Sequence, residues 1–437
     1  MSRYKRYERY KDSGVEWIGE IPEHWEINKL KRLSNIITGN TPPKSEEENY
    51  DDEGIPWVKP DNIQDDGTIS ETKERLSVIG LQKARLIPKS SAIVCCIGTV
   101  GKVGFTQEDC TTNQQINSII FERPSIWNNK YGFYCLYSSK NEHEKYSNKV
   151  VVSILNKTQQ GNILMPVPSL KEQKAIASFL DQKTAEIDGL VADKEKLIEL
   201  LREKRQAIIT EAVTKGLNPN VRMKDSGIKW IGEIPEHWDI RRIKYLANVR
   251  NIKASDSDND KTYVGLENIE PKTGKLLINN NDEQQIIGET ANIFKKGDVL
   301  FGKLRPYLAK CIVANFNGRC TSELLVLRTT SNILPEYLYF FMLSPIFIDV
   351  VNSSTYGAKM PRASWDFIGN LKIPLPNIKE QEEIVEYLIK LTNKIDDLIS
   401  DISTQIQKLK EYRQSLISEA VTGKIDVREF ADKAEVI

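Results

Sequence analysis

The chain repeats itself. Lys11-Asp12-Ser13-Gly14-Val15-Glu16-Trp17-Ile18-Gly19-Glu20-Ile21-Pro22-Glu23-His24-Trp25 returns as Lys224-Asp225-Ser226-Gly227-Ile228-Lys229-Trp230-Ile231-Gly232-Glu233-Ile234-Pro235-Glu236-His237-Trp238. Later in each half, Pro168-Ser169-Leu170-Lys171-Glu172-Gln173 returns as Pro376-Asn377-Ile378-Lys379-Glu380-Gln381. The helical runs behind these segments end in Glu211-Ala212-Val213-Thr214 and Glu419-Ala420-Val421-Thr422. Such a chain is an internal duplication and must fold as two like frames. The sequence between the copied parts, roughly 40 to 160 and 250 to 365, is not copied. One frame carries two unlike inserts.

With 437 residues, each half can bury a core of its own. The 61 Lys plus Arg balance the 61 Asp plus Glu, so net charge points to no partner, and only local charge counts. The N-terminus is charged and no run approaches a bilayer span, which predicts a soluble, cytoplasmic protein. Six cysteines without C-x-x-C spacing read as reduced, buried thiols. Three histidines are too few for a His-based zinc site, and His24 and His237, at equivalent places in the copied segment, read as structural.

The Trp-Ile-Gly-Glu-Ile-Pro-Glu-His-Trp segment reads as a turn pinned by two large apolar anchors. Short amphipathic stretches follow, Ile27 to Ile36 and Ile240 to Val249. The inserts then give strand-like runs, Ala92 to Ile97, Asn117 to Phe121, Asp298 to Phe301 and Leu324 to Leu327, with helical patterns at Tyr131 to Tyr137 and Pro335 to Leu343. Each insert is therefore expected to be a mixed α and β domain. Ser169-Leu170-Lys171-Glu172 fits a capping box, and Asn377 to Glu380 stands in the same place. From there two long helices are expected, the first from about 171 to 213 and on the order of 60 Å long at 1.5 Å per residue. A helix seam is assigned to Ile187, Leu190, Leu197, Leu201 and Ile208 in the first and Ile395, Leu398, Ile402, Leu409 and Leu416 in the second, with Lys194, Lys204, Gln405 and Tyr412 interrupting it. The expected fold class is α+β: two mixed α/β domains separated by two long antiparallel coiled-coil helices, related by pseudo-two-fold symmetry.

Catalytic signatures are missing from the sequence. Gly98-Thr99-Val100-Gly101-Lys102-Val103 lacks the spacing and the Ser or Thr of a phosphate loop. Asn40-Thr41-Pro42-Pro43 only approaches the Asn-Pro-Pro-aromatic loop of amino-methyltransferases, and no glycine fingerprint marks a nucleoside cofactor. The acidic clusters Glu46-Glu47-Glu48 and Asp65-Asp66 read as solvated loops. The chain reads as non-catalytic.

This organisation resembles the specificity subunit of type I restriction-modification enzymes. The carriers are the two Trp segments, Thr38-Gly39-Asn40-Thr41-Pro42-Pro43, Gly54-Ile55-Pro56-Trp57-Val58, the Gly98 to Gly104 run before Cys110-Thr111-Thr112-Asn113-Gln114-Gln115, Gly297 to Tyr307, and the two helix starts. The resemblance implies a first target-recognition domain over 1–165, a spacer helix region over 166–222, a second recognition domain over 223–373 and a second spacer over 374–437. It implies that each domain reads half of an asymmetric bipartite site in double-stranded DNA, and that the helices set the spacing. It further implies docking of two modification (methyltransferase) subunits, with restriction (motor and nuclease) subunits completing the complex. S-adenosylmethionine, ATP and Mg are then expected on those partner subunits and no cofactor or metal on this chain.

Candidate DNA contacts are polar or basic residues in Gly-rich loops: Lys102, Thr111, Thr112, Asn113, Gln114 and Gln115 in the first domain, and Lys303, Arg305, Tyr307, Thr321, Ser322, Lys359 and Arg362 in the second. Asn and Gln can pair with adenine, while Arg305 and Arg362 suit guanine. The competing assignment leaves Thr111 to Gln115 bonding a buried turn and Lys303 as a solvated loop charge. Two other classes stay open on the residues alone: a protein scaffold without a DNA role, and a methyltransferase with an unrecognised site.

Overall fold

The computed structural model describes residues 4–149, 153–255, 258, 260–277, 291–355 and 360–430. The chain divides into two compact units, one formed by residues 1–193 with 405–437, the other by 194–404. The copied segments build the same parts in each.

In the first unit the Trp segment is a hairpin of Tyr10–Asp12 with Glu20–Pro22, and in the second, of Met223–Asp225 with Glu233–Pro235. Trp25 and Trp238 are fully buried. The short stretch after each hairpin pairs with the strand leading into the long helix: Glu26–Lys29 with Leu164–Val167, and Asp239–Arg242 with Lys372–Leu375. This ribbon ties the beginning of each insert to its end.

Each insert centres on a four-stranded antiparallel sheet of the same strand order. In the first unit the order is Asn35–Thr38, Ile116–Ile120, Ala92–Cys95, Val103–Phe105. In the second it is Ala247–Val249, Leu324–Thr329, Val299–Gly302, Cys311–Val313. The expected strand-like runs form the central pair of each sheet. The expected helices are present at Asn129–Ser138 and Pro335–Leu343, and both are mostly buried. All six cysteines are free and buried, and burial pushes the thiols of Cys96, Cys110 and Cys320 up to about 12.

The long helices span Leu170–Lys215 and Ile378–Val421. At the first start Ser169 and Glu172 exchange the bonds of a capping box, and at the second Asn377 accepts from the Glu380 N–H at 3.0 Å. The capping glutamates also anchor the Trp hairpins, through His24–Glu172 at 2.8 Å and His237–Glu380 at 2.9 Å. Burial opposes ionisation of Glu172, but bonds from His24, Ser169 and Trp25 outweigh it and hold the carboxyl below its usual range. Both histidines are thus structural.

Each unit is completed by the end of the helix that follows the other insert. In the first unit the buried Tyr131 hydroxyl bonds the carbonyls of Pro166, before the first long helix, and Val421, at the end of the second. In the second unit Tyr337 bonds Pro374 and Val213 in the same way. Within each unit, therefore, the start of one helix lies beside the end of the other, and the two segments run antiparallel. The core of the second unit includes Ile209, Ala212 and Val213 together with Ile384, Val385 and Leu388. The second helix stops at Gly423, whose φ of 71° and close approach to Pro22 and Trp25 leave no room for a side chain.

Most of the residues expected in the seam are buried or half-buried, and three are not. Ile187, Ile395, Ile402 and Leu416 are buried, and Leu201, Ile208 and Leu409 are half-buried. Leu190, Leu197 and Leu398 are instead 50%, 45% and 42% exposed. The buried line passes through Val191, Ile198 and Arg205 in the first helix and Asp396, Ile406 and Arg413 in the second. Three charged residues occupy core positions because each has a buried or half-buried partner, and a search for apolar residues alone steps past them. Of the expected interruptions, Lys204 and Tyr412 face solvent.

Candidate nucleic-acid interface

At one end of each sheet, three loops are held together by the same set of backbone bonds. In the first domain Cys96 N donates to Gln115 O, Gly98 N to Ser153 O and Leu155 N to Cys96 O, at 2.8, 3.1 and 2.8 Å. In the second, Lys303 N donates to Glu323 O, Arg305 N to Pro361 O and Ala363 N to Lys303 O, at 3.0, 2.8 and 2.9 Å. Bridges Ile97–Ile154 and Leu304–Arg362 complete the match. A parallel strand pair underlies each set, Trp57–Val58 with Thr111–Thr112 and Tyr263–Val264 with Arg319–Cys320.

These bonds make Gly98 equivalent to Arg305, Ile154 to Arg362 and Gln115 to Glu323. The backbone is shared and the side chains are not. Gly98 has φ 80°, natural for glycine, and Arg305 keeps a left-handed φ of 50° in its place. A non-glycine residue held there carries strain that concentrates at functional loops.

The structure splits the candidates of the first domain. Thr111, Thr112 and Asn113 are buried: Thr111 donates to Pro56 O at 3.1 Å, Thr112 meets Ser118 at 3.4 Å, and Asn113 bonds the Gln115 side chain and backbone. Their polar groups hold the turn. Gln114 is exposed and bonded to Thr41, Gln115 is half-buried, and Lys102 lies 3.7 Å from Asp65.

In the second domain the loops bring Lys303, Arg305, Thr321, Ser322 and Arg362 together. Arg305 and Arg362 are exposed and Tyr307 is 45% exposed. Thr321 accepts from Glu323 N at 3.3 Å. Arg362 is paired side-on with Glu323. Lys359 lies outside the described residues.

Sequence reasoning missed two features. The Asn40-Thr41-Pro42 loop sits on the same surface as Gln114: Asn40 N donates to Thr112 O at 3.0 Å and the Trp57 indole to Asn40 O at 3.3 Å, with Lys59 4.5 Å above the Trp57 ring. An adjoining open groove of about 440 Å³ is lined by Lys44, Tyr50, Lys73 and Arg75 together with Asp51, Asp52 and Glu74, so its charge is mixed. The other missed feature is Glu323, whose carboxylate meets Arg362, distant in sequence, only once the chain is folded.

Among the described residues no group of three or more His, Cys, Asp or Glu could hold a metal ion, and no helix is long and apolar enough to cross a membrane.

Residues 22–200 and 235–408 each match the type I restriction modification DNA specificity domain. The chain belongs to that family. It is 24% identical over 292 residues to the Escherichia coli EcoDI specificity subunit, spanning 63% of this chain and 65% of that one. It is 25% identical over 429 residues to the putative MjaX specificity subunit of Methanocaldococcus jannaschii, covering 94% and 96% of the two chains, and 23% identical to the Escherichia coli EcoKI specificity subunit, covering 96% and 93%. A chain solved in work on assembly and conformational transition of the type I system shares the fold at a TM-score of 0.68 and 16% identity, over 92% of this chain and 98% of that one. The Thermoanaerobacter tengcongensis HsdS subunit gives 0.50 at 15% identity, over 93% and 98%. As a member of this family the chain is a DNA specificity subunit with two target-recognition domains, and it is itself non-catalytic.

Proposed function

We propose that the chain selects an asymmetric bipartite target in double-stranded DNA, residues 1–165 reading one half and residues 223–373 the other. The helix regions 166–222 and 374–437 set the number of unread base pairs between the halves and dock two modification subunits. Restriction subunits complete the assembly, and S-adenosylmethionine, ATP and Mg act on those partner chains, in the cytoplasm. One observation carries this reading: a shared backbone cradle presents Gly98, Gln115 and Ile154 in one domain and Arg305, Glu323 and Arg362 in the other. Two matched surfaces would favour a palindrome, and two different ones read different bases.

Lys102, Gln114 and Gln115 are the first-domain contacts in this proposal, and Lys303, Arg305, Tyr307, Thr321, Ser322, Lys359 and Arg362 those of the second. Domain exchange tests it. Replacing residues 40–160 by the insert of another family member should change one half-site of the methylated motif and leave the other half and the gap unaltered. A change in both halves would refute the assignment of one half to each domain.

A further inference from the structure

The loops of the second domain hold an ion pair whose geometry exceeds what folding needs. Arg362 Nε donates to Glu323 Oε2 at 3.1 Å and Nη2 to Glu323 Oε1 at 2.9 Å. The arginine side chain is 57% exposed and the carboxylate 22%, so the guanidinium lies outermost. With its arginine more than half exposed, even this two-point pair adds about 1 kcal/mol of stability at most. We propose that Glu323 is a positioning residue for readout: it holds Arg362 so that the outer edge of the guanidinium recognises a guanine in the half-site of the second domain. The proposal rests on the reading of that domain as a DNA reader.

The chemistry favours a base over a phosphate. Glu323 occupies the side edge of the guanidinium, formed by Nε and one hydrogen of Nη2. The end edge, formed by Nη1 and the other hydrogen of Nη2, remains, and among the described residues nothing accepts from Nη1. Its two parallel donors match O6 and N7 of guanine in the major groove. The carboxylate offsets the charge on which a phosphate contact depends, while leaving these directional donors intact.

Both residues are also fixed at the backbone. Lys303 N donates to Glu323 O at 3.0 Å, Glu323 N to Thr321 Oγ1 at 3.3 Å, and the Leu304–Arg362 bridge holds the other side. An arginine already held in place loses less rotamer freedom on binding than a free one. In the first domain the equivalent residues are Gln115, bonded to Asn113, and the 46% exposed Ile154. That domain cannot make this contact, so the half-sites should differ at this base.

The test uses the assembled modification complex on a pool of duplexes randomised at both half-sites, with methylated molecules sequenced. Arg362→Ala should relax one guanine in one half-site, lowering discrimination by roughly 5- to 150-fold. Glu323→Ala should relax the same base by a smaller factor and add nothing in the double variant, Glu323→Gln should fall between wild type and Glu323→Ala, and Arg362→Lys should not restore preference. Overturning results are loss of methylation with an unchanged base profile in Glu323→Ala, relaxation at another base, or uniform weakening in Arg362→Ala with a reduced salt slope, which would mark a phosphate contact. A bipartite wild-type motif with no base altered by Arg362→Ala would refute this inference alone. A wild-type complex that methylates without a bipartite motif would refute the proposed function beneath it.

Discussion

Arg205 and Asp396 meet at 3.1 Å with side chains only 5% and 8% exposed, and the guanidinium also bonds the carbonyls of Lys272 and Thr273. At the equivalent place in the first unit Arg413 meets Asp188 at 2.9 Å, but there the carboxylate is 41% exposed. Removing Asp396 leaves a buried charge without its main counter-ion, so Asp396→Ala should cost about 3–5 kcal/mol. Asp188→Ala should cost about 1 kcal/mol. Urea unfolding of the two variants checks the order, and equal losses would contradict it.

The paired tyrosines make a second prediction. Tyr131 and Tyr337 are fully buried, and each hydroxyl serves a carbonyl at a helix end and one on the strand leading into the other helix. Tyr131→Phe and Tyr337→Phe should each cost about 1–2 kcal/mol. Because the two lie in separate units, the double variant should equal the sum within about 0.5 kcal/mol. Thermal unfolding provides the comparison.

The duplication, the central strands, the insert helices and both helix starts were legible in the sequence because copied motifs and short apolar runs report local structure directly. The seam was less so. Leu190, Leu197 and Leu398 carry the right chemistry one step from the right face, while Arg205, Asp396 and Arg413 are core residues only because distant partners neutralise them. The loops that carry the proposed DNA contacts were half legible. Thr111 to Asn113 and Gln114 are equally polar, and which of them face solvent depends on the parallel pairing with Trp57–Val58. The match between Gly98 and Arg305 appears only once backbone bonds align the inserts.

His143 gives a pH dependence. It is fully buried, its Nδ1 lies 2.8 Å from Ser139 O, and burial lowers its pKa from 6.5 to about 4. The unfolded chain then binds the proton more readily, so this residue's contribution is complete above about pH 6.5 and is lost as pH falls toward about 4. Stability should drop by about 1.4 kcal/mol per pH unit across that window from this residue alone. His143→Gln should flatten the slope, and an unchanged slope would contradict the assignment.

Arg305→Gly separates stability from recognition. Glycine relieves the left-handed strain at φ 50° and removes the exposed guanidinium. The variant should be as stable as the wild type or more so, by up to about 1 kcal/mol, yet the complex assembled with it should methylate less selectively at one half-site. Destabilisation with unchanged selectivity would assign Arg305 to the frame and not to the reading surface.

This chain alone is proposed to choose the DNA sequence, through two unlike domains. The most direct test co-expresses it with its modification subunit and maps methylated bases genome-wide by single-molecule sequencing, with and without this chain. The expected result is a single asymmetric motif, two different half-sites across a fixed gap, that vanishes when the chain is deleted. Methylation by the assembled complex without such a motif, or a motif that survives the deletion, would contradict it.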